Sequence, residues 1–138
     1  MVGTMNQDTL PRILCVDDEP RVVESLAVQL RHHYQVSTAN SGREALQFLQ
    51  DQAPPAVVVS DMRMPVMDGA TLLKHVRQLH PETTRILLTG DTGRDAAIAA
   101  VNEGQIFKFL TKPCRTEQLK AAIDAGVMQY RLDRKSVV

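Results

Sequence analysis

The sequence has no surplus of charge of either sign: 16 Lys and Arg stand against 16 Asp and Glu. That balance argues against a chain whose main task is to hold nucleic acid, because phosphate contacts need a basic excess. It gives no support for an acidic membrane surface either. No apolar run approaches the ~20 residues that span a bilayer. Met1 to Leu10 are polar and lack the apolar centre of a signal peptide, so the expected location is the cytoplasm. Cysteine is scarce. Cys15 and Cys114 lie far apart and match no metal spacing; they read as small packing residues in a reducing compartment rather than as a disulfide. Neither G-x-G-x-x-G nor a phosphate-binding G-x-x-x-x-G-K-[ST] loop occurs. Gly90-Asp91-Thr92-Gly93 is too short and lacks the lysine, which leaves a nucleotide-binding module without a motif. No fixed-period repeat, low-complexity stretch or interdomain linker is visible.

What is present is a core. The 138 residues suit one domain, and 43% of them are hydrophobic, too many for a disordered chain. Two kinds of segment alternate. Short β-branched runs predict strands at 13–16, 34–38, 56–60, 85–88 and 106–110. Val57-Val58-Val59 is continuously apolar, as a strand buried on both faces of a parallel sheet should be. Between the strands, apolar residues recur at three-to-four spacing: Val22, Val23, Leu26 and Leu30; then Ala45, Leu46 and Leu49; then Leu72, Leu73, Val76 and Leu79. Ile98 and Val101 mark a fourth helix, and Leu119, Ile123, Val127 and Tyr130 a fifth. Pro20 opens the first helix, and Ser41 with Glu44 three residues on forms an approximate capping box for the second. Five strand–helix repeats predict an α/β fold with a parallel sheet and helices on both faces. The expected organisation is a flexible tail at 1–10, a domain at 11–130, and at 131–138 either a helix extension or the start of a linker to an absent output domain.

Ligands of such sheets bind beyond the carboxyl ends of the strands. The first strand ends in Asp17-Asp18, the third in Asp61, the fourth in Thr89, and Lys112-Pro113 follows the fifth. Each has an ordinary structural reading. Asp17 and Asp18 suit the cap of the helix at Pro20, Asp61 suits a turn, Thr89 a strand end, and Lys112 a solvated loop. Taken together, these readings require five coincidences at the one edge where sites form. If strands 1 and 3 are neighbours, three carboxylates face one lysine and do not all stay ionised without a further cation. A hard divalent ion with oxygen ligands, Mg²⁺, completes such a site. A carboxylate beside Mg²⁺ and lysine can attack phosphorus, because the cations neutralise charge on the transferring oxygens. Thr89 can donate to a phosphoryl oxygen.

The run from Val57 through Ser60-Asp61-Met62-Arg63-Met64-Pro65-Val66-Met67-Asp68-Gly69, together with Asp17-Asp18, Leu87-Leu88-Thr89-Gly90 and Phe109-Leu110-Thr111-Lys112-Pro113, resembles the receiver domain of two-component response regulators. The resemblance covers about residues 11–130. It implies a flavodoxin-like, doubly wound single domain of five strands in the order 2-1-3-4-5 with five helices. It implies Asp61 as phospho-acceptor, Asp17, Asp18 and Asp61 with the Arg63 carbonyl as the Mg²⁺ site, Thr89 and Lys112 as partners of the phosphoryl group, and Phe109 as the aromatic that moves inward with Thr89 on activation. The Lys112-Pro113 bond is usually cis in the family. Arg63 and Asp91 occupy positions that tune dephosphorylation there.

The implied function is phosphorelay signalling. A sensor histidine kinase or histidine phosphotransfer protein supplies the phosphoryl group, and a protein surface on helix 4, strand 5 and helix 5 (94–101, 106–110, 115–127) reads it out. The output is an effector domain or a protein partner, including a second copy of the chain, with no direct nucleic-acid or membrane binding. On this reading the chain is no enzyme beyond catalysing its own phosphorylation and dephosphorylation. The alternative is a phosphatase with an aspartyl-phosphate intermediate. Such enzymes commonly place the nucleophile at strand 1 as Asp-x-Asp, whereas the best nucleophile here follows strand 3 and no cap insertion encloses a substrate. Residues 99–110 also resemble receivers attached to signalling-enzyme output domains.

Overall fold

The computed structural model describes residues 9–90 and 93–135. Strands and helices alternate: β1 (Arg12–Val16), α1 (Pro20–Leu30), β2 (Gln35–Ala39), α2 (Gly42–Asp51), β3 (Val57–Asp61), α3 (Gly69–Leu79), β4 (Thr84–Thr89), α4 (Arg94–Asn102), β5 (Lys108–Thr111) and α5 (Thr116–Lys135). The strands form one parallel sheet in the order β2-β1-β3-β4-β5, the order expected. β3 is central and every one of its residues is buried, which explains its unbroken apolar run.

The two-residue alternation of each strand divides the core into two layers. Leu14, Val16, Val58 and Leu87 pack toward Ala45 and Leu49 of α2, Leu72, Leu73 and Val76 of α3, and Ala97 and Ala100 of α4. Ile13, Cys15, Val57, Val59, Ile86 and Leu88 point the other way, toward Leu30 of α1 and Leu119, Ile123 and Val127 of α5. Each fully buried Leu or Ile contributes about 1.5–3 kcal/mol over exposure. The sheet is thereby fixed against slipping by one residue, which would exchange the layers.

The starts of α1 and α2 follow the sequence signals. Pro20 opens α1. The Ser41 hydroxyl accepts from the Glu44 N–H at 3.0 Å, and Asp68 caps α3 by accepting from the Thr71 N–H at 2.8 Å.

Three segments differ from expectation. Tyr34 closes α1 instead of opening β2: its N–H donates to the Leu30 carbonyl, and its hydroxyl donates to Asp124 at 2.5 Å. β5 begins at Lys108 rather than at Ile106, because 103–106 complete the turn that ends α4. Gly104 adopts a left-handed φ of 74° there, and the Gln105 N–H returns to the Ala100 carbonyl. On α4 the core face is made by Ala97 and Ala100, while Ile98 points outward at 41% exposure. Small residues let this helix lie close to the sheet, so its apolar signal was carried by alanine rather than by the larger Ile98. α5 continues past Tyr130 to Lys135.

Candidate functional site

The carboxyl ends of β1, β3, β4 and β5 bring most of the expected residues to one edge. Because β1 pairs with β3, with Val16 opposite Ser60, Asp17, Asp18 and Asp61 converge. One carboxylate oxygen from each lies within 4.8 Å of the others. Asp17 and Asp61 are 3% and 7% exposed, so two of the three charges are largely removed from water. Lys112 reaches in from the loop after β5. Its Nζ forms an ion pair with Asp61 Oδ1 and lies 4.0 Å from Asp17 Oδ2. The Lys112 N–H donates to the Thr89 carbonyl at 2.8 Å, which ties this loop to the end of β4. The Lys112–Pro113 bond is cis, as the resemblance implied.

Burial raises the Asp17 carboxyl above the usual aspartate range. The Glu19 N–H, which donates to Asp17 Oδ1 at 3.0 Å, opposes the rise; the neighbouring charge of Asp61 adds to it, Lys112 opposes it, and Asp18 adds to it. The cluster therefore holds more negative charge than one lysine balances. Three hard oxygen donors around one point fit a small divalent cation such as Mg²⁺, which takes carboxylates and keeps several waters.

Thr89 is buried at the end of β4, opposite Thr111 of β5, and its hydroxyl donates to the Gly90 carbonyl at 3.1 Å. Phe109 lies on β5 opposite Leu87, half-buried against the α2–α3–α4 core layer. Arg63 is exposed. With Asp18, Met64, Pro65, Gly93 and Ala96 it lines a cleft of about 490 Å³ between the β3–α3 loop and α4. Asp91 lies outside the described residues.

Sequence reasoning missed three supports of this edge. Asn40, just past the end of β2, donates its side-chain amide to the Asp17 carbonyl at 3.3 Å, while the Asp17 N–H donates to the Ala39 carbonyl. Gly69 lets α3 begin directly against β3: a side chain there would fall on the Asp61 carbonyl oxygen and within 2.8 Å of Leu87 Cδ1. Gly93 gives the Thr89 hydroxyl similar room. Both glycines sit beside recognisable motif residues, but only the folded approach of two elements shows why a Cβ is excluded.

The lysine ion pair on a carboxylate cluster can hold a cation and position a phosphoryl group on Asp61. Comparison with known proteins identifies the family. Residues 13–124 match the family model described as the response regulator receiver domain. The hydrogenase transcriptional regulatory protein HoxA of Bradyrhizobium diazoefficiens is 34% identical over 124 residues, covering 90% of this chain and 25% of that protein. A solved structure of adenylate cyclase from Rhodopirellula baltica is 40% identical, with a TM-score of 0.90 over 91% of this chain and 93% of that one. A response regulator receiver domain protein from Clostridium thermocellum is 32% identical, with a TM-score of 0.85 over 89% and 98% of the two chains. The chain spans about a quarter of the length of the curated relatives it matches.

Proposed function

From the premise that this chain belongs to the response regulator receiver domain family, we propose that Asp61 accepts a phosphoryl group from a phosphohistidine protein in a Mg²⁺-dependent reaction. The observation that carries this reading is the Lys112–Asp61 ion pair inside the three-carboxylate cluster. Family membership implies a histidine kinase partner and an output domain. The phosphatase alternative receives no support from the relatives.

In this reading Asp17, Asp18 and Asp61, with the Arg63 carbonyl, hold Mg²⁺. When bound, the cation neutralises negative charge on the transferring phosphoryl oxygens. Asp61 is the nucleophile: its carboxylate oxygen bonds to phosphorus as the P–N bond to the donor imidazole breaks, and that nitrogen takes up a proton. Lys112, already at Asp61, turns to a phosphoryl oxygen. Thr89 gives up its bond to the Gly90 carbonyl and donates to the phosphoryl group instead, and Phe109 moves into the space it leaves. The chain thus catalyses only its own phosphorylation and dephosphorylation.

Readout falls on α4, β5 and α5, a surface that Thr89 borders through Gly93 at the start of α4 and Thr111 of β5. Self-association is favoured by the outer face of α5, where Ala121, Ala125, Met128 and Leu132 are exposed at the 4-3-4 spacing of a helix–helix seam. Relatives whose names span hydrogenase transcription and adenylate cyclase point to an output domain of no single type. A cytoplasmic site of action belongs to the same reading. Among the described residues no helix is long and apolar enough to cross a membrane.

The test is incubation with Mg²⁺ and phosphoramidate. One base-labile phosphate per chain is expected, absent in Asp61→Asn. Stoichiometric labelling of Asp61→Asn, or turnover of added phosphoesters, would refute the assignment.

A further inference from the structure

A second polar cavity lies at the amino ends of the strands, across the sheet from the carboxylate cluster. It is a pocket of about 370 Å³ between the start of β1, the α2–β3 loop and the last turns of α5. Its floor is apolar, with Ala56 and Val127 buried and Pro54 half-buried. Three arginines line it: Arg12, the first residue of β1, and Arg131 and Arg134 of α5. In a chain whose charges balance, this wall sets three cations against one anion, Glu82.

Among the described residues, the guanidinium groups of Arg12 and Arg131 and the carboxylate of Glu82 enter no hydrogen bond or ion pair. Arg134 is held by its own helix: its Nη1 donates to the Tyr130 hydroxyl at 3.2 Å, and its guanidinium carbon lies 5.4 Å from the centre of that ring. Arg85 of β4 shows what a structural arginine does in this fold, donating to the carbonyls of Pro81, Thr83 and Gln105. The last turns of a helix favour cations, which accounts for Arg131 and Arg134 but not for Arg12, on a strand. Like charges brought to one cavity oppose one another until an anion joins them.

The wall specifies that anion. Guanidinium forks match phosphate oxygens two at a time. Three arginines less one glutamate leave two positive charges, and a phosphomonoester carries about two negative ones at neutral pH. The apolar floor takes a flat, weakly polar body, and Glu82 accepts from amino or hydroxyl groups on it. The volume is at the small end for ligand pockets and suits one mononucleotide rather than a dinucleotide. The sequence has no glycine-rich phosphate loop, so side chains hold the phosphate.

We propose that this pocket binds a nucleoside monophosphate, with Arg12, Arg131 and Arg134 on the phosphate and the base on the floor of Pro54, Ala56 and Val127. Tyr130 holds Arg134 in place for it. The site is separate from Asp61 and does not rest on the phospho-acceptor reading.

Calorimetric titration of the full chain with AMP, GMP, CMP and UMP, without Mg²⁺, tests this. At least one is expected to bind with a Kd on the order of 0.1 mM. Arg131→Gln should weaken it by about tenfold or more, and Arg12→Gln with Arg131→Gln further still. The matching nucleoside, which lacks the phosphate, and inorganic phosphate, which lacks the base, should each bind about tenfold or more weaker than the monophosphate. Both variants should melt within about 1–2 °C of wild type, because the substituted guanidiniums are unpaired. Binding of no nucleotide below about 5 mM would overturn the proposal. So would equal affinity for wild type and the double variant. Inorganic phosphate as tight as the nucleotide would overturn it too, leaving a plain anion site. Binding of hexaglutamate in place of any nucleotide would also overturn it, and would assign the arginines to an acidic protein segment.

Discussion

Lys112 pairs with Asp61 across the ends of β5 and β3, and the same ammonium stands 4.0 Å from Asp17 Oδ2. One lysine thus faces two buried carboxylates, with Asp18 completing a trio. Replacing Asp61 by Asn keeps the shape of the side chain and removes one of three like charges. Lys112 is 41% exposed and regains water when its partner is lost. The expected outcome is no phosphorylation by phosphoramidate, an unchanged circular dichroism spectrum, and a metal-free melting temperature at or above that of wild type. A clearly lower melting temperature would show that the ion pair outweighs the repulsion.

The raised Asp17 carboxyl gives the metal-free protein a definite pH dependence. In the folded state this group holds its proton to higher pH than in the unfolded chain. Its contribution to stability is present below the ordinary aspartate range and is lost as pH rises through the raised folded value. Mg²⁺ needs the ionised form, so it acts in the opposite sense. Stabilisation by Mg²⁺ should be clear at pH 7 and nearly absent at pH 4, and Asp18→Ala should abolish it. Thermal melts with and without 10 mM MgCl₂ (about 0.03 M ionic strength, low enough to leave close charge pairs largely unscreened) check this. Equal stabilisation at both pH values would mean that the ion binds elsewhere.

Gly69→Ala tests how tightly α3 is set against β3. The added methyl falls on the Asp61 carbonyl and presses on Leu87. The first obstacle is backbone, which cannot rotate away. A loss of about 2–3 kcal/mol is expected, as for overpacked cores, read as a lower urea midpoint with little change in slope. Phosphorylation of Asp61 should slow as well, because the acceptor moves with its own carbonyl. An unchanged midpoint would show that the loop yields freely.

Much of this architecture was legible beforehand, for reasons that particular residues make clear. Val57-Val58-Val59 reads as a strand covered on both faces because nothing polar interrupts it, and β3 is indeed central. The polar strand ends announced Asp17, Asp18, Asp61, Thr89 and Lys112, and the fold brings the three carboxylates and the lysine together. Ile98 misled, since a large side chain suggested the core face of α4 where Ala97 and Ala100 in fact pack. Asn40, Gly69 and Gly93 were opaque because their roles depend on what another element places beside them. The left-handed φ of Val66 was opaque too: Pro-Val-Met contains none of the residues that favour it.

The φ of 70° at Val66 carries a stability prediction. Val66→Gly relieves a strain of about 1–3 kcal/mol and costs about 0.5–1 kcal/mol in the flexibility of the unfolded chain. The net effect is a gain of about 1 kcal/mol, which for a chain of this size is a rise of roughly 3–4 °C in melting temperature. Calorimetry of both forms decides it. A variant less stable than wild type would mean that the valine has native contacts after all.

The outer face of α5 supplies the last test. Met128 and Leu132 are 59% and 54% exposed, and they continue the spacing set by Ala121 and Ala125. Side chains this exposed contribute little to the fold, so Met128→Glu with Leu132→Glu should leave the melting temperature within about 1–2 °C of wild type, as for surface changes. If two copies meet along this seam, the glutamates of one face those of the other, and like charges on facing helices oppose pairing. Self-association in the presence of Mg²⁺ and beryllofluoride, a stable mimic of the phosphoryl group, should weaken by about tenfold or more in sedimentation equilibrium. Phosphorylation by phosphoramidate should not change, because the seam lies on a helix surface away from the carboxylate cluster. A dimer of unaltered affinity would move the contact to α4, where Ile98 is the exposed apolar residue, and Ile98→Glu would then be the variant that separates the copies.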